Sequence, residues 1–241
     1  MSRIDNRKPD ELRPVKISLN YQAFADGSAL IELGKTKIIC AVTIEERVPA
    51  FLKGQNTGWI TAEYAMLPRS TQTRTPRNGP SGKTAGRSQE IQRLIGRCLR
   101  AVTDMQVLGE RTLIVDCDVL QADGGTRTAA ITGSYVALYQ ALNVLLRKGI
   151  ISRIPLKYAV AATSVGIVDR AALLDLCYEE DFRAAVDFNV VKTDKGDYVE
   201  IQGTAEGKPF SKAAVDSLLA LADKGLEQLF DMQKIVLRQL G

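Results

Sequence analysis

Apolar and polar residues alternate from Leu113 to Val119, and the spacing of the apolar residues then changes. Strict alternation is typical of a strand with one buried face. From Thr128 onward, apolar residues recur every three or four positions as far as the segment Arg147 to Gly149, which is typical of a helix end. The pattern predicts a core strand, a short joint and a buried helix.

The same two periods recur along the rest of the chain, in two series. Strands of the first series are predicted at Val15 to Leu19, Ser28 to Leu33, Lys37 to Glu45 and Trp59 to Tyr64. Strands of the second series are predicted at Tyr158 to Val168, Arg170 to Tyr178, Ala185 to Thr193 and Tyr198 to Gly203. Long helices are predicted after Ser88 and Ser211, whose hydroxyls suit a helix N-cap. Strands followed by helix, twice, predict an α+β fold.

The segment Ile150 to Pro155 interrupts the helical period and separates the two series. We therefore expect two domains, at residues 1–151 and 152–241. A chain of 241 residues, 45% of them hydrophobic, is long enough to bury a core in each. The N-terminus is charged and no apolar run approaches the roughly eighteen residues that a membrane helix needs. We therefore expect a cytoplasmic protein that does not enter a membrane.

The joint between the core strand and the buried helix, Asp123 to Arg127, contains residues suited to anion binding. A helix N-terminus has unpaired backbone N–H groups and a partial positive charge. Glycines allow a phosphate to approach closely, and Thr126 and Arg127 add a hydroxyl and a guanidinium group. The pattern alone favours the alternative of an ordinary turn, with Thr126 as N-cap and Arg127 in solvent, because P-loop and dinucleotide-type spacings are both absent.

Positive charge is concentrated between Pro68 and Arg87, although the formal net charge of the chain is only +4. This segment contains no acid and no large aliphatic residue, which predicts a long loop. Its basic residues are Arg69, Arg74, Arg77, Lys83 and Arg87. Arginine suits phosphate contacts, and without aromatic residues the loop would contact the backbone of a nucleic acid rather than its bases. The alternative is a solvated loop without a partner.

The sequence contains no histidine, which excludes Ser-His-Asp, Cys-His and HExxH catalysis. Its 4 cysteines are far apart in apolar contexts, so we expect buried thiols rather than a zinc site. The densest acidic cluster is Glu179 to Asp181, at the end of a predicted strand, with Asp187 at the start of the next. Such carboxylates suit a hard cation, although the pattern alone favours a solvated acidic turn.

The segment QADGGTRTAAITG, at residues 121–133, resembles the phosphate-binding segment of ribonuclease PH, a family of bacterial phosphorolytic exoribonucleases. Other segments resemble that family in the same order, and together they cover nearly the whole chain. They are LRPV at 12–15, FLKGQNTGWITAEYAMLPRST at 51–71, EIQRLIGR at 90–97 and IQGTAEGKPFS at 201–211. The resemblance implies two similar α+β units, the first like the second domain of ribosomal protein S5.

The resemblance also implies roles for individual residues. Those expected to bind inorganic phosphate are Arg87, Gly125, Thr126 and Arg127. Those expected to bind a divalent metal ion, taken as Mg²⁺, and to act in catalysis are Asp181 and Asp187. Those expected to contact RNA are Arg69, Arg74 and Arg77. Phe182 departs from the family, in which a small polar residue is usual, and this departure affects the hydrogen bonding expected around Asp181.

The function implied is phosphate-dependent, reversible removal of nucleotides from RNA 3′ ends, with release of nucleoside diphosphates. Precursor tRNA is the family's substrate, which implies a role in the processing of tRNA and other structured RNA such as rRNA. The family assembly is a homohexamer built as a trimer of dimers. Phosphate is already an anionic nucleophile at neutral pH, so the absence of histidine agrees with this chemistry.

Three alternatives are weighed against this interpretation. A catalytically silent, RNA-binding ring subunit of an exosome-like assembly would share the fold but usually lack an acid or the Gly-Thr-Arg segment, and this chain has both. A hydrolytic phosphoesterase would need a base for water and no second phosphate site. Polynucleotide phosphorylase repeats the unit and adds RNA-binding modules, for which 241 residues leave no room.

Overall fold

The computed structural model describes residues 3–76 and 86–240. Its strands are β1 (Val15–Leu19), β2 (Gly27–Leu33), β3 (Thr36–Glu45), β4 (Trp59–Met66), β5 (Thr112–Gln121), β6 (Val160–Val168), β7 (Ala171–Leu174), β8 (Val186–Thr193) and β9 (Tyr198–Ala205). Its helices are α1 (Gly86–Ala101), α2 (Met105–Leu108), α3 (Thr126–Arg147), α4 (Tyr178–Arg183) and α5 (Lys212–Leu237), with 3₁₀ turns at Ala50–Leu52 and Arg238–Leu240.

The first sheet has the strand order β1-β2-β3-β5-β4. Neighbouring strands are antiparallel except β4, which runs parallel to β5 at one edge. The alternation predicted for β5 is present, because Leu113, Val115, Cys117 and Val119 are all buried. β2 lies so close to α3 that a Cβ atom added to Gly27 would be 2.3 Å from the carbonyl oxygen of Ala137.

The second sheet is antiparallel, with the order β7-β6-β8-β9. Its apolar face packs against α5 through Leu218, Ala222 and Leu226. Asp187 is the second residue of β8, where it pairs with Gly166 of β6 and Thr204 of β9. The sheet therefore fixes the backbone of Asp187 on both sides.

α3 lies between the two sheets and belongs to the core that they share. Its apolar side chains pack in one cluster with residues of both sheets, including Ile31 of β2 and Ala162 of β6. Thr132 Oγ1 also accepts a hydrogen bond of 3.1 Å from the Ala162 amide. α3 is long and apolar enough to cross a membrane, with a mean hydropathy of 1.3, but 78% of that window is buried inside the fold. It is thus the core helix that the periodicity predicts.

The structure adds the short helix α2, which was not predicted, and it differs from the predicted elements at two other places. The first helix begins at Gly86, so Ser88 is inside the helix rather than its N-cap, whereas Ser211 does cap α5 through a 3.2 Å bond from the Ala214 amide. The strand predicted at Arg170 to Tyr178 ends at Leu174, and α4 follows. The acidic cluster therefore lies on a helix. The Glu180 side chain turns inward and accepts a hydrogen bond from the backbone amide of Cys177, which stabilises the first turn of that helix.

Other expectations concern the cysteines and the domains. The cysteines are free and buried, as expected, and these are Cys40, Cys98, Cys117 and Cys177. The division into domains at residues 1–151 and 152–241 stays a prediction.

Candidate active site

The N-terminus of α3 is open to an anion. Gly124 and Gly125 have φ angles of 74° and 66°, in the left-handed region that favours glycine. Gly125 is the N-cap, and among the described residues no side chain caps the helix and no acid occupies its first turn. Thr126 is the first residue of the helix rather than its N-cap. In the part of the chain that the structure describes, the first N–H groups of α3 therefore have no side-chain acceptor, and the positive end of the helix dipole has no acid in the first turn.

The hydroxyl of Thr126 is oriented by a buried tyrosine. Tyr64, on β4, donates a hydrogen bond of 2.8 Å to Thr126 Oγ1. Burial raises the pKa of Tyr64, so its hydroxyl stays protonated at neutral pH. Because the Thr126 oxygen accepts this bond, its own hydrogen remains available to a ligand at the helix N-terminus.

Arg127 is held by two side chains from other elements. Its Nη1 lies 3.2 Å from Glu90 Oε1 and also donates to Gln202 Oε1. Gln202 of β9 in turn donates a 2.9 Å bond to Glu90 Oε1. This bond and the charges of Arg127 and Arg87 hold the pKa of Glu90 below its usual value, although burial opposes them. Glu90 is thus ionised and balances the charge of Arg127.

The joint before α3 packs against the start of α4. A Cβ atom on Gly124 would lie 2.5 Å from the Leu176 carbonyl oxygen and 2.9 Å from the Tyr178 nitrogen, so only glycine fits there. Asp123 Oδ1 also accepts a 3.3 Å bond from the Tyr178 amide. The N-terminal end of α3 and the helix that carries Asp181 are therefore direct neighbours.

Asp181 on α4 and Asp187 on β8 form a pair of like charges. Burial raises the pKa of Asp181, and the charges of Arg87, Arg127 and Arg13 oppose that rise. Burial also raises the pKa of Asp187, and the negative charge of Asp181 adds to it. In the described part of the chain, no other side chain donates a hydrogen bond to either carboxylate.

Three buried arginines pack against the buried side of α4 and against the segment before it. Arg3, Arg7 and Arg13 are 6%, 9% and 3% exposed, and they contact Asp175 and Glu180, which are 1% and 2% exposed. Arg13 holds Asp175 through bonds of 2.9 Å from Nε and 2.6 Å from Nη2, and its Nη1 donates to the Asp123 carbonyl. Arg3 holds Glu180 through bonds of 2.8 Å and 2.6 Å. We call these five residues the arginine brace.

Comparison with known proteins relates this geometry to a family. The model of the 3′ exoribonuclease family matches residues 11–142 with its domain 1 and residues 158–225 with its domain 2. The chain belongs to the 3′ exoribonuclease family.

Relatives within the 3′ exoribonuclease family are similar over almost their whole length. Ribonuclease PH of Dehalococcoides mccartyi is 58% identical over 234 residues, which cover 97% of each chain. Ribonuclease PH of Syntrophomonas wolfei is 58% identical over 237 residues, which cover 98% of this chain and 99% of that protein. The family resemblance, and with it the expectation of a 3′–5′ exoribonuclease rather than a silent ring subunit, is confirmed.

Solved structures of more distant members of the 3′ exoribonuclease fold share the architecture. Rrp46 of rice has a TM-score of 0.77 at 20% identity, with 99% of this chain and 100% of that chain covered. The Archaeoglobus fulgidus exosome with RNA bound to the active site has a TM-score of 0.81 at 23% identity, with 95% and 92% covered. These likenesses concern the fold alone, and they confirm the predicted α+β class.

The structure brings most of the expected site residues of this exoribonuclease together. Gly125, Thr126 and Arg127 are consecutive, and the charges of Arg87 and Arg127 both act on the carboxylate of Asp181. Their roles stay predictions. Phe182, at the position where the resemblance predicts a small polar residue, is 80% exposed, and no side chain of the described residues donates a hydrogen bond to Asp181.

The residues expected to contact RNA lie apart from this cluster along the chain. Arg69 and Arg74 are exposed, and Arg69 Nη1 donates a 2.9 Å bond to the Gln72 carbonyl. Arg77 lies outside the described residues. Their role in RNA binding stays a prediction.

The carboxylate oxygens of Asp181 and Asp187 are ligands that suit a hard cation. Their carboxylates repel each other and lack side-chain donors, which is the arrangement that a bound cation relieves. Within residues 3–76 and 86–240, no cluster of three potential ligand side chains occurs. Two carboxylates agree with Mg²⁺, which commonly takes one or two carboxylates and completes its shell with water and substrate phosphate.

Sequence reasoning did not find the residues that orient the exoribonuclease site. Tyr64, Glu90 and Gln202 all fall within segments that resemble the family, but nothing in their spacing indicates a contact with Thr126 or Arg127. The arginine brace was missed because its partners are far apart along the chain. The one signal in the sequence is the occurrence of three arginines within the first thirteen residues, which no local motif links to a site.

The arginine brace makes a prediction about stability. Arg3→Met should lower the free energy of unfolding by about 3 kcal/mol, because it leaves the buried Glu180 with only the more distant charge of Arg7, 3.7 Å away. Adding Glu180→Leu should recover part of this loss. Urea unfolding of the two variants measures both effects.

A matched control for that prediction is Lys212→Met, which removes an exposed ion pair with Asp216 and should have little effect.

Burial alone raises the pKa of Glu180, but hydrogen bonds from Arg3 and Cys177 and the charges of Arg3 and Arg7 hold it below its ordinary value. The stabilisation is therefore present at neutral pH and lost as the pH falls through the folded pKa of Glu180. Equal effects of Arg3→Met and Lys212→Met would contradict the assignment.

Proposed function

We propose that this protein shortens RNA from the 3′ end by phosphorolysis. The observation that carries the proposal is the uncapped N-terminus of α3, an anion site, in direct contact with the helix that carries Asp181. A phosphate oxygen attacks the phosphorus of the last phosphodiester, and the bond to the 3′ oxygen of the preceding nucleotide breaks. The terminal nucleotide leaves as a nucleoside diphosphate, and the RNA keeps a free 3′ hydroxyl.

The nucleophile is held by the end of α3. The N–H groups after Gly125, the hydroxyl of Thr126 and the guanidinium of Arg127 converge on one anion, and Arg87 adds charge from the first turn of α1. Arg127 is already oriented by Glu90 and Gln202 before phosphate arrives. Positioning and charge neutralisation supply most of the catalysis in phosphoryl transfer, so an oriented arginine suits the reaction.

The two aspartates act on the RNA side of the reaction. Asp181 and Asp187 would hold a divalent cation, Mg²⁺, which offsets negative charge at the scissile phosphate when bound. One of the two aspartates also helps to protonate the leaving 3′ oxygen. No histidine is needed for either task.

The physiological substrate we propose is the 3′ end of precursor tRNA, in the cytoplasm, with other structured RNA such as rRNA precursors as further substrates. The arginine-rich loop supports this proposal because Arg69 and Arg74 are exposed beside the described end of the loop. Arginine contacts to phosphates recognise RNA shape rather than sequence.

The first test concerns the nucleophile. Shortening of an RNA radiolabelled in its 3′-terminal nucleotides should require inorganic phosphate and should release nucleoside diphosphates. Excess nucleoside diphosphate should drive extension of the same RNA, because the reaction is close to reversible. Chromatography of the products identifies them, and nucleoside monophosphates formed equally well without phosphate would rule out phosphorolysis.

The second test concerns the aspartate pair. Asp181→Asn or Asp187→Asn should lower turnover at least about a hundredfold, the order of effect of losing a positioned catalytic group. RNA affinity should persist, since the phosphate-binding and loop arginines are untouched. Rates at saturating Mg²⁺ and binding in phosphate-free buffer separate the two effects. Near-normal turnover in both variants would exclude these residues from catalysis.

The third test separates the loop from the phosphate site. Replacing Arg69, Arg74 and Arg77 by alanine should lower the slope of log affinity against log salt by about two units, at roughly 0.7 per phosphate contact. Activity should drop on precursor tRNA and persist on a saturating, unstructured oligonucleotide. Arg127→Ala should instead lose activity on both while keeping most RNA affinity. An unchanged salt slope would show that the loop is solvated and unpartnered.

The fourth test concerns assembly, which we propose to be a homohexamer built as a trimer of dimers. Support comes from the resemblance to the ribonuclease PH family and from the fold that the chain shares with solved exosome structures. Light scattering of the purified protein should give about six times the mass of one chain. A stable monomer with full activity would contradict the proposal.

A further inference from the structure

Two aromatic rings lie exposed on the outer face of α4. Tyr178 and Phe182 are one helical turn apart, with ring centroids 6.3 Å apart and an angle of 29° between their planes. Tyr178 is 52% exposed and Phe182 is 80% exposed. An open hollow of about 450 Å³ lies against them, bounded also by Ile4, Glu179 and Arg183. We call this surface the aromatic face.

The fold does not account for the aromatic face. α4 is held by its opposite side, where Glu180 is buried in the arginine brace. Neither ring belongs to a hydrophobic cluster of the described core. Exposed rings of this size are more often binding surfaces than structural parts.

The aromatic face lies on the same short helix as Asp181, which relates it to the substrate. Asp181 lies between the two rings in sequence, and the scissile end of the RNA must reach Asp181 if the proposed function is right. The geometry points to the aromatic face as a stacking site for one base near the 3′ end of the RNA. This inference rests on the proposed function and adds a base contact to the backbone contacts of the loop.

The chemistry of the aromatic face favours a nucleobase as its occupant. Every base has a π-face that stacks on an aromatic side chain, whatever the sequence. The Arg183 side chain beside the rings is 50% exposed. Its Nη1 lies 3.7 Å from Asp169 and its Nε donates a 3.3 Å bond to the Glu179 carbonyl, which leaves the remaining N–H groups of the guanidinium for an RNA phosphate. Two rings bury far less area than the roughly 800 Å² per partner of a stable protein interface, which argues against a second protein chain.

Abasic scanning tests the inference directly. Short RNAs that lack the base at each of the last few positions in turn are bound in phosphate-free buffer with Mg²⁺, where the nucleophile is absent. In the unaltered protein, loss of one particular base should weaken binding at least about fivefold, the lower end of base stacking. In Phe182→Ser that position-specific penalty should disappear. Phe182→Leu, which keeps apolar bulk without a π-face, should behave like Phe182→Ser.

The matched control is Phe24→Ser. Phe24 is fully exposed in the turn between β1 and β2. Asn20 of the same turn accepts a hydrogen bond from Gln140 in the C-terminal half of α3, so the turn lies away from the α3 N-terminus and the candidate site. This variant should keep the penalty at the same base. 2-Aminopurine at that position should lose fluorescence on binding to the unaltered protein and to Phe24→Ser but not to Phe182→Ser.

Two outcomes would overturn the inference. One is a set of abasic penalties that is the same in the unaltered protein and in Phe182→Ser. The other is a lower mass of Phe182→Ser by light scattering, which would assign the ring to a contact between copies of the chain. RNA shortening that proceeds without phosphate would overturn the proposed function instead, so the two failures are distinguishable.

Discussion

A buried ion pair between Arg13 and Asp175 joins the beginning of the chain to the segment before α4. Asp175 has a φ angle of 54°, in the left-handed region that few residue types tolerate. Arg13 secures it with two side-chain bonds and reaches the carbonyls of Asp123 and Gly124 with the same guanidinium. One side chain therefore sets the spacing between the α3 N-terminus and the helix of Asp181. The candidate phosphate site and the acidic pair depend on this contact for their mutual position.

Local patterns were enough to predict the long elements. The alternation at Leu113 to Val119 and the helical period after Thr128 report burial of one face, and β5 and α3 bury those residues. α4 could not be predicted in this way, because a helix of six residues is too short to show a period. Its inward residue is Glu180, an acid that is buried only because Arg3 lies against it, 177 positions away along the chain.

The chemistry of the candidate site was partly predictable for the same reason. The glycines and Arg127 stand together in sequence, so their relation to a helix N-terminus could be inferred from the joint alone. The contact of Arg127 with Glu90 and Gln202 joins α3 to α1 and β9, which local spacing does not encode. The family resemblance indicated the roles of the residues, whereas the structure shows the side chains that neutralise and orient Arg127.

The contact between Glu90 and Arg127 has a consequence for the reaction cycle. A site with an unpaired arginine at a helix N-terminus would retain any anion strongly, including a spent one. Glu90 competes for that arginine at 3.2 Å, so the departure of an anion leaves an ion pair rather than a bare charge. An enzyme that removes one nucleotide after another has to exchange its anion at every step. In the proposed phosphate site, the carboxylate of Glu90 would therefore lower the affinity for the anion, speed its exchange and so favour repeated turnover.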